Sequence, residues 1–375
     1  MNRYIIHIAY LCLTFFLLAS CNKQEDAMPQ DEGMVTLSIS AAMASRTTDT
    51  GDVNRTYAEL MHTLRIIIFD GNGNVEHNRL YEFEKGLFDT ENHIFIVKAN
   101  ETKTIYLLAN CEKFAVKEDD LTIASLDALE LEGDGILQAQ GTKPDEGDGT
   151  INVLPATAKY SIQVGNQSQT ETLYVVHAAN KIEFEFINNS GEEVTISEWR
   201  LTPIAQNSYL IPHITDEDEN TQEEDRWYSK VLAQYNYAGL SGDDEGVTNY
   251  DIPDDADQDT FNEELEKGIK IAAGESATLY SATEPFYLHE SKADSDPTTG
   301  QQQYTVSCVI NDRVYDAVLP NLPSLFRGTY VKIKAIINAL NEDEPYEGIY
   351  AEIVEWKEYD PVTGEIVEEE TDTNP

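Results

Sequence analysis

The residues whose types and spacing could do chemistry are few. Asp255-x-Asp257-x-Asp259 followed by Glu266 sets acids at positions 1, 3, 5 and 12 of a Ca2+ loop of the EF-hand kind. Hard oxygen donors at that spacing chelate a cation only if the chain turns sharply at the sixth position. That position holds Thr260, a β-branched residue poorly suited to the φ > 0 that Gly supplies there. Pro253, two residues upstream, stands where an entering helix would have to run. The run reads as a solvated acidic loop, and no metal ligands are assigned. His62, His77, His93, His177, His213 and His289 never fall at ligand spacing, and the sequence has no HExxH, GxSxG or phosphate-cradling glycine loop. Carboxylates are so abundant that no pair stands out as the acid and nucleophile of a glycosidase. Cys111 has no motif neighbours to activate it; Cys111 and Cys308 read as small buried core residues, with nothing favouring a bridge between them. No catalytic residue and no cofactor is expected, and the chain reads as a non-enzyme.

Charge narrows the partners. The 375 residues include 25 Lys plus Arg against 69 Asp plus Glu, a formal net charge of -44. Nucleic acid is excluded, because neutralising phosphates needs basic clusters, and an anionic membrane surface would repel the chain. High charge alone would suggest disorder, but 41% of the residues are apolar and 20 Tyr and 12 Phe are present, so cores can form. At roughly 100–200 residues per domain, two domains are expected.

The N-terminus carries an address. Arg3 is the only Lys, Arg, Asp or Glu in residues 1–20, and an apolar stretch runs from Tyr4 to Leu18, short for a spanning helix and suited to a secretory signal. Leu18-Ala19-Ser20-Cys21 resembles the bacterial lipobox, in which the signal is cut before the cysteine and that cysteine is acylated. Residues 1–20 are therefore expected to be a lipoprotein signal peptide and residues 21–33 a polar tether, with Cys21 carrying the lipid (palmitate among its acyl chains) that holds the protein to the outer membrane. Asn22 rather than Asp follows Cys21, which removes one inner-membrane retention signal, and Lys23, Glu25 and Asp26 are similar to surface-export tags.

The elements behind these residues read as strands. Val35, Leu37 and Ile39 alternate with Thr36 and Ser38, the period of a half-buried strand. Residues 41–54 are small, polar and turn-rich, and residues 57–62 suggest a short helix. Residues 64–69 are a continuous apolar strand, followed by the Asp70-Gly71-Asn72-Gly73-Asn74 turn and a returning strand over 75–83. Further strands are expected at 93–99, 104–110, 160–164 and 173–177. Asp119 or Asp120 would cap a helix carrying Leu121, Ala124, Leu126 and Leu129. The pattern restarts near 178–180, and Ile182, Phe184 and Phe186 alternate with Glu183 and Glu185. Residues 215–268 carry acidic clusters and read as a long insertion. Strand text resumes from 269 and ends with 349–356, before an acidic tail. The expectation is an all-β chain of two β-sandwich domains, 34–178 and 179–375, with short helices, an acidic insertion over 215–268 in the second domain and an acidic tail over 357–375.

Several stretches, in order along the mature chain, resemble the fimbrillin family of Bacteroidales type V pili: the lipobox Cys21 with its small-residue strand and Arg46; Leu64-Arg65-Ile66-Ile67-Ile68-Phe69-Asp70 with its Gly-Asn turn; Tyr106-Leu107-Leu108-Ala109-Asn110-Cys111; His177-Ala178-Ala179-Asn180-Lys181-Ile182-Glu183; Phe286-Tyr287-Leu288-His289-Glu290-Ser291; and Leu325-Phe326-Arg327-Gly328-Thr329-Tyr330-Val331. The resemblance implies two transthyretin-like sandwiches in series and a structural role in a surface fimbria supporting cell adhesion. It implies export as an outer-membrane lipoprotein, cleavage after the first strand by an Arg- or Lys-specific surface protease, and polymerisation with other pilus subunits by donor-strand exchange.

The residues can carry that physics. Removing a strand with Val35, Leu37 and Ile39 on its buried face leaves an apolar groove and unpaired edges, which a donated strand repairs. Arg46 ends the small-residue run after that strand and is the expected processing site; Arg55 is the second choice. The expected donor lies in residues 349–367. Ile349, Ala351 and Ile353 share one face with Glu355, while Val354 and Trp356 share the other with Tyr350 and Glu352; Ile366 and Val367 are the alternative. The acidic insertion is longer than a stalk subunit needs, so tip and anchor roles stay open. A surface lipoprotein that binds carbohydrate or a host ligand is the other reading.

Overall fold

The computed structural model describes residues 33–43, 56–113, 121–132, 153–216, 248–251, 253, 259–280, 285–292, 304–319, 324–325, 327–328, 330–338 and 349–354. The chain is nearly all β. Its first half contains β1 (Met34–Met43), a 3-10 turn (Tyr57–Glu59), β2 (Met61–Phe69), β3 (Val75–Leu87), β4 (His93–Lys98), β5 (Glu101–Ala109), the helix α1 (Ile123–Asp127), β6 (Glu130–Glu132), β7 (Ala156–Val164) and β8 (Gln169–His177). Seven of these strands form one hydrogen-bonded path, β3-β2-β5-β7-β8-β1-β4. The path folds back at β8. Val176 and His177 at its end pair with Thr157 and Ala156 of β7, while residues 169–175 pair with β1. The layer β3-β2-β5-β7 thus faces the layer β8-β1-β4 across a core. That core takes Leu64, Ile66 and Ile68 from β2 and Ile105 and Leu107 from β5, with Leu37 and Ile39 from β1 and Phe95 and Val97 from β4 opposite. Strict alternation in β1 and β4 produces this arrangement, because a period of two turns every second side chain inward.

Two connections follow from local chemistry. The Asp70 carboxylate accepts the N–H groups of Asn72 and Asn74, both at 2.9 Å, closing the β2–β3 hairpin; these bonds, chiefly that from the Asn74 backbone, hold its pKa below the usual carboxylate value. Asn110, at φ 57, ends β5. Its Oδ1 accepts the His62 N–H at 2.8 Å, and its Nδ2 donates to the Leu60 and Leu154 carbonyls at 2.8 and 2.9 Å. One side chain thereby ties three segments that a β ladder does not reach.

The second half contains β9 (Asn180–Asn188), β10 (Val194–Ile204), β11 (Asn207–Tyr209), β12 (His213–Asp216), β13 (Thr248–Asp251), β14 (Asp259–Ile271), β15 (Ser276–Tyr280), β16 (Phe286–Leu288), β17 (Ser291–Lys292), β18 (Thr305–Ile310), β19 (Arg313–Val318), β20 (Ser324–Leu325), β21 (Tyr330–Ile337) and β22 (Ile349–Val354). One sheet runs β14-β10-β18-β19; the other runs β15-β9-β21-β22, with β16 also on β9. Their inner faces share a core of Phe184, Phe186, Ile196, Trp199, Leu201, Val306, Ile310, Ile333 and Ile337. Trp199 is fully buried, with Phe184, Phe261 and Tyr280 at ring-centroid distances of 4.7, 4.9 and 5.8 Å.

Several expectations are corrected. β1 continues to Met43, because Ala41 and Ala42 are small enough to pack beside β8 and Met43 closes the end of the core. The segment at 57–62 is a single 3-10 turn, and His62 already belongs to β2. The cap of α1 is Thr122, whose Oγ1 accepts the Ser125 N–H at 3.0 Å; Asp119 and Asp120 lie outside the described residues. Residues 259–268, read as part of the insertion, belong to β14 and pair with β10. This also bears on the acidic run. Positions 259 and 266 are seven residues apart on one extended strand, about 23 Å of rise, whereas a cation-wrapping loop must turn back on itself. Asp255 and Asp257 lie outside the described residues. Among the described residues no helix is long and apolar enough to cross a membrane.

Cys111 and Cys308 are free, buried and in different cores. Burial pushes both thiols up, that of Cys308 to about 12. A protein lacking residues 1–20 and carrying Cys21→Ser is therefore expected to resist a thiolate-selective reagent at pH 8 while folded and to take up two labels per chain in urea. Mass spectrometry before and after unfolding checks this; rapid labelling of the folded chain would contradict it.

Candidate functional site

β1 is an interior strand. It runs parallel to β8, with Leu37 opposite Gln169 and Met43 opposite Val175, and antiparallel to β4, with Val35 opposite Val97 and Ile39 opposite His93. Val35, Leu37 and Ile39 are 3%, 0% and 0% exposed, and Ala41 and Met43 continue the same buried row. The intervening Thr36, Ser38 and Ser40 form the half-buried outer face, where the Ser40 hydroxyl donates to Thr172 Oγ1 at 3.2 Å. Beyond β4 the ladder continues irregularly. Ala41 N–H donates to Thr90 Oγ1 at 3.0 Å, Thr90 N–H to the Ala41 carbonyl at 2.8 Å, and Met43 N–H to the Phe88 carbonyl at 2.8 Å. β1 thus has partners on both sides from Leu37 to Met43, and each of Val35, Leu37, Ile39 and Met43 contributes roughly 1.5–3 kcal/mol by burial.

The far side of β4 is covered in a different way. β3 and β4 end the seven-strand path, and side chains of β3 bridge to the backbone of β4. The His77 ring meets the Ile96 carbonyl through Nε2 at 2.8 Å, and Glu76 Oε1 accepts the Lys98 N–H at 2.7 Å. Such caps shield an edge without adding a strand. Behind them Lys103, fully buried, donates to Glu76 and Glu101, each at 2.5 Å. The hydrogen bond from Lys103 is the main reason the Glu101 carboxyl lies below the ordinary value.

β22 is the edge strand of the second half's sheet. It is antiparallel to β21, with Ile349, Ala351, Ile353 and Val354 opposite Ala335, Ile333, Val331 and Tyr330. Cys21, Arg46, Arg55, Trp356, Ile366 and Val367 lie outside the described residues.

Two buried polar clusters join the halves, and neither was foreseen from the sequence. In the first, Glu59 Oε1 accepts from Lys181 Nζ at 2.8 Å and from the Tyr287 hydroxyl at 2.7 Å, while the hydroxyls of Thr56 and Tyr287 are 2.9 Å apart. Burial, then the Glu59 charge, raises the Tyr287 hydroxyl pKa, so it stays a donor. In the second, Arg327 makes a paired contact with Glu290, both side chains being essentially inaccessible. Its Nη1 donates to the Leu210 carbonyl at 2.9 Å, and Nη2, which also meets Glu290, donates to the Tyr209 carbonyl. Thr157 Oγ1 of β7 donates to the same Leu210 carbonyl at 2.6 Å. His289, 3.0 Å from Ser208 Oγ through Nδ1, is held down to about 4 by burial and by the nearby Arg327 charge, so it is neutral at physiological pH. Glu290 and Arg327 each stand in a stretch quoted above, but one-dimensional spacing gives no sign that they meet.

No family model matches the chain, and no curated protein matches it. Solved structures do. A candidate cell adhesion protein from Parabacteroides distasonis is similar at 12% identity and TM-score 0.51, over 86% of this chain and 97% of its own. The tip fimbrial protein Mfa3 of Porphyromonas gingivalis, with a C-terminal truncation, matches at 12% identity and TM-score 0.47 over 86% of this chain and 100% of its own. A fimbrilin (FimA) of the same species matches at 13% identity and TM-score 0.47 over 86% and 97%. At such identity the likeness is one of fold: the chain shares the fold of the candidate cell adhesion protein from Parabacteroides distasonis, in agreement with its sequence resemblance to the fimbrillin family.

Proposed function

We propose that the chain is a structural subunit of a surface fimbria supporting cell adhesion, built from two sandwich domains. It is exported as a lipoprotein through Cys21, freed of β1 by an Arg- or Lys-specific surface protease at Arg46 or Arg55, and polymerised by donor-strand exchange. The observation that carries this reading is the position of β1. The first strand of the fold lies between β4 and β8 with five alternate residues buried, so its loss opens a groove with two unpaired edges. A C-terminal segment of another subunit is the natural filler, because main-chain pairing on both edges and alternate side-chain pockets accept an extended strand. Among the described residues β22 pairs with β21 alone, and Ile349, Ala351 and Ile353 supply a short apolar row at the required period. The partners are then other pilus subunits, the protease and, through lipid, the outer membrane.

The test is to treat the purified lipoprotein with an arginine-specific protease, then run an unboiled gel and sequence the N-terminus of the polymer. Ladders whose subunits begin after β1, at Thr47 first of all, are expected. A monomer that keeps β1, or one cut after Arg46 that never polymerises, contradicts this reading and favours a monomeric surface-binding lipoprotein.

A further inference from the structure

The turn at Tyr57–Glu59 lies between the two arginines' segment and β2, and its backbone is bound at every carbonyl from Thr56 to Leu60. The Thr56 carbonyl accepts the Glu59 N–H at 3.0 Å and the Ala58 carbonyl accepts the Leu154 N–H at 2.9 Å. The Tyr57 carbonyl meets His62 Nε2 at 2.9 Å, that of Glu59 meets His177 Nε2 at 3.1 Å, and that of Leu60 accepts from Asn110 Nδ2 at 2.8 Å. Thr56 is 2% exposed and Ala58 0%. The Thr56 N–H donates to Glu59 Oε2 at 3.1 Å, and its hydroxyl meets that of Tyr287, 231 residues away. Glu59 is in turn paired with Lys181.

We propose that Thr56, Glu59, Tyr287 and Lys181 form a clamp that closes the bond preceding Thr56 to proteolysis and so sets where a processed chain can begin; the inference deepens the processing step proposed above and rests on that reading. A protease reads several residues on each side of the scissile bond in extended form. On the C-terminal side of the bond preceding Thr56 those residues are Thr56, extended but buried, and Tyr57 and Ala58, folded into the turn, and the segment is held by both halves of the chain. Cleavage there needs local opening, and its rate then follows the population of the opened form. The product is disfavoured as well. A new α-ammonium at Thr56 would enter a buried cluster in which the Glu59 charge is already matched by Lys181, leaving a cation without a counter-charge. Processing is thereby directed to Arg46, ten residues before Thr56 in the sequence. The clamp also keeps the start of β2 fastened to the second half once β1 has gone.

The test counts new chain ends by mass spectrometry after an arginine-specific protease acts on the full lipoprotein. The wild-type chain should yield ends at Thr47 and none at Thr56, while the urea-unfolded chain yields both. Tyr287→Phe and Glu59→Gln should release ends at Thr56 about tenfold faster or more, the factor given by loss of about 1.4 kcal/mol from the clamp. Thr56→Val, which keeps shape and removes only the hydroxyl contact, guards against variants that do not fold. Ends at Thr56 from the folded wild-type chain as fast as ends at Thr47 would overturn the clamp, as would folded variants that release none. Ends at Thr47 without polymer would leave the clamp standing and sink strand exchange.

Discussion

A chain cut after Arg46 and freed of the released segment is expected to lose most of the stability of its first sandwich, and a peptide of residues 34–43 is expected to restore it. β1 supplies Val35, Leu37, Ile39, Ala41 and Met43 to the core and pairs with both β8 and β4. The burial of its four larger side chains, at roughly 1.5–3 kcal/mol each, is comparable with the whole net stability of a domain, about 5–15 kcal/mol. The ladder to β8 is also lost, and β4 stays attached by the caps from His77 and Glu76 and by Phe95 and Val97 in the core. Thermal unfolding should show an early transition in the cut chain, with binding of a dye that reports exposed apolar surface. The added peptide should remove both effects in proportion to occupancy. A peptide carrying Leu37→Asp should fail, because Leu37 is fully buried at the centre of the strand and an unpaired carboxylate there is strongly disfavoured. If the cut chain melts as a monomer at the temperature of the intact one, β1 is no essential part of the first core and strand exchange has no driving force.

How much of this was legible in the sequence differs by scale. The alternation at Val35, Leu37 and Ile39 marked a strand with one buried face, because period two is a local property. It left unread that β1 lies inside a sheet and parallel to β8: strand partners are set by chain topology, and here the partner is more than 130 residues away. Residues 259–268 illustrate the opposite failure. Their acids resemble loop text, yet Phe261 and Leu265 alternate toward the second core while Asn262 and Glu264 face solvent; Glu263 shares the half-buried face, where burial raises its carboxyl pKa. The joint between the halves was invisible for a third reason. Glu59, Lys181, Glu290 and Arg327 are charged types that composition assigns to the surface, and only tertiary pairing makes their burial tolerable.

That last pairing predicts the largest single-residue effect in the second half. Arg327→Ala is expected to destabilise the protein by about 3–5 kcal/mol, the usual cost of breaking a buried pair by removing one partner. The guanidinium of Arg327 holds Glu290 and also the Tyr209 and Leu210 carbonyls, so its loss leaves a buried carboxylate and carbonyls short of a donor at once. Lysine should not rescue it, because one ammonium cannot span the carboxylate and the carbonyls that the planar fork reaches together. Glu290→Gln should cost less than Arg327→Ala, since the amide oxygen still accepts from the fork. Urea unfolding of the four proteins gives the order wild type, Glu290→Gln, Arg327→Lys, Arg327→Ala from most to least stable. The fork spans the carbonyl of the last residue of β11, that of Leu210 just after it, and a carboxylate beside β17, while Thr157 binds the same Leu210 carbonyl from β7. Loss of Arg327 should therefore also loosen the joint between the halves, seen as hydrogen exchange rising at residues 208–211 and 157 together. An Arg327→Ala protein with unchanged urea midpoint would mean that the buried pair adds nothing over its desolvation, and the joint would then rest on the Glu59–Lys181 cluster and on the pairing of β6 with β11.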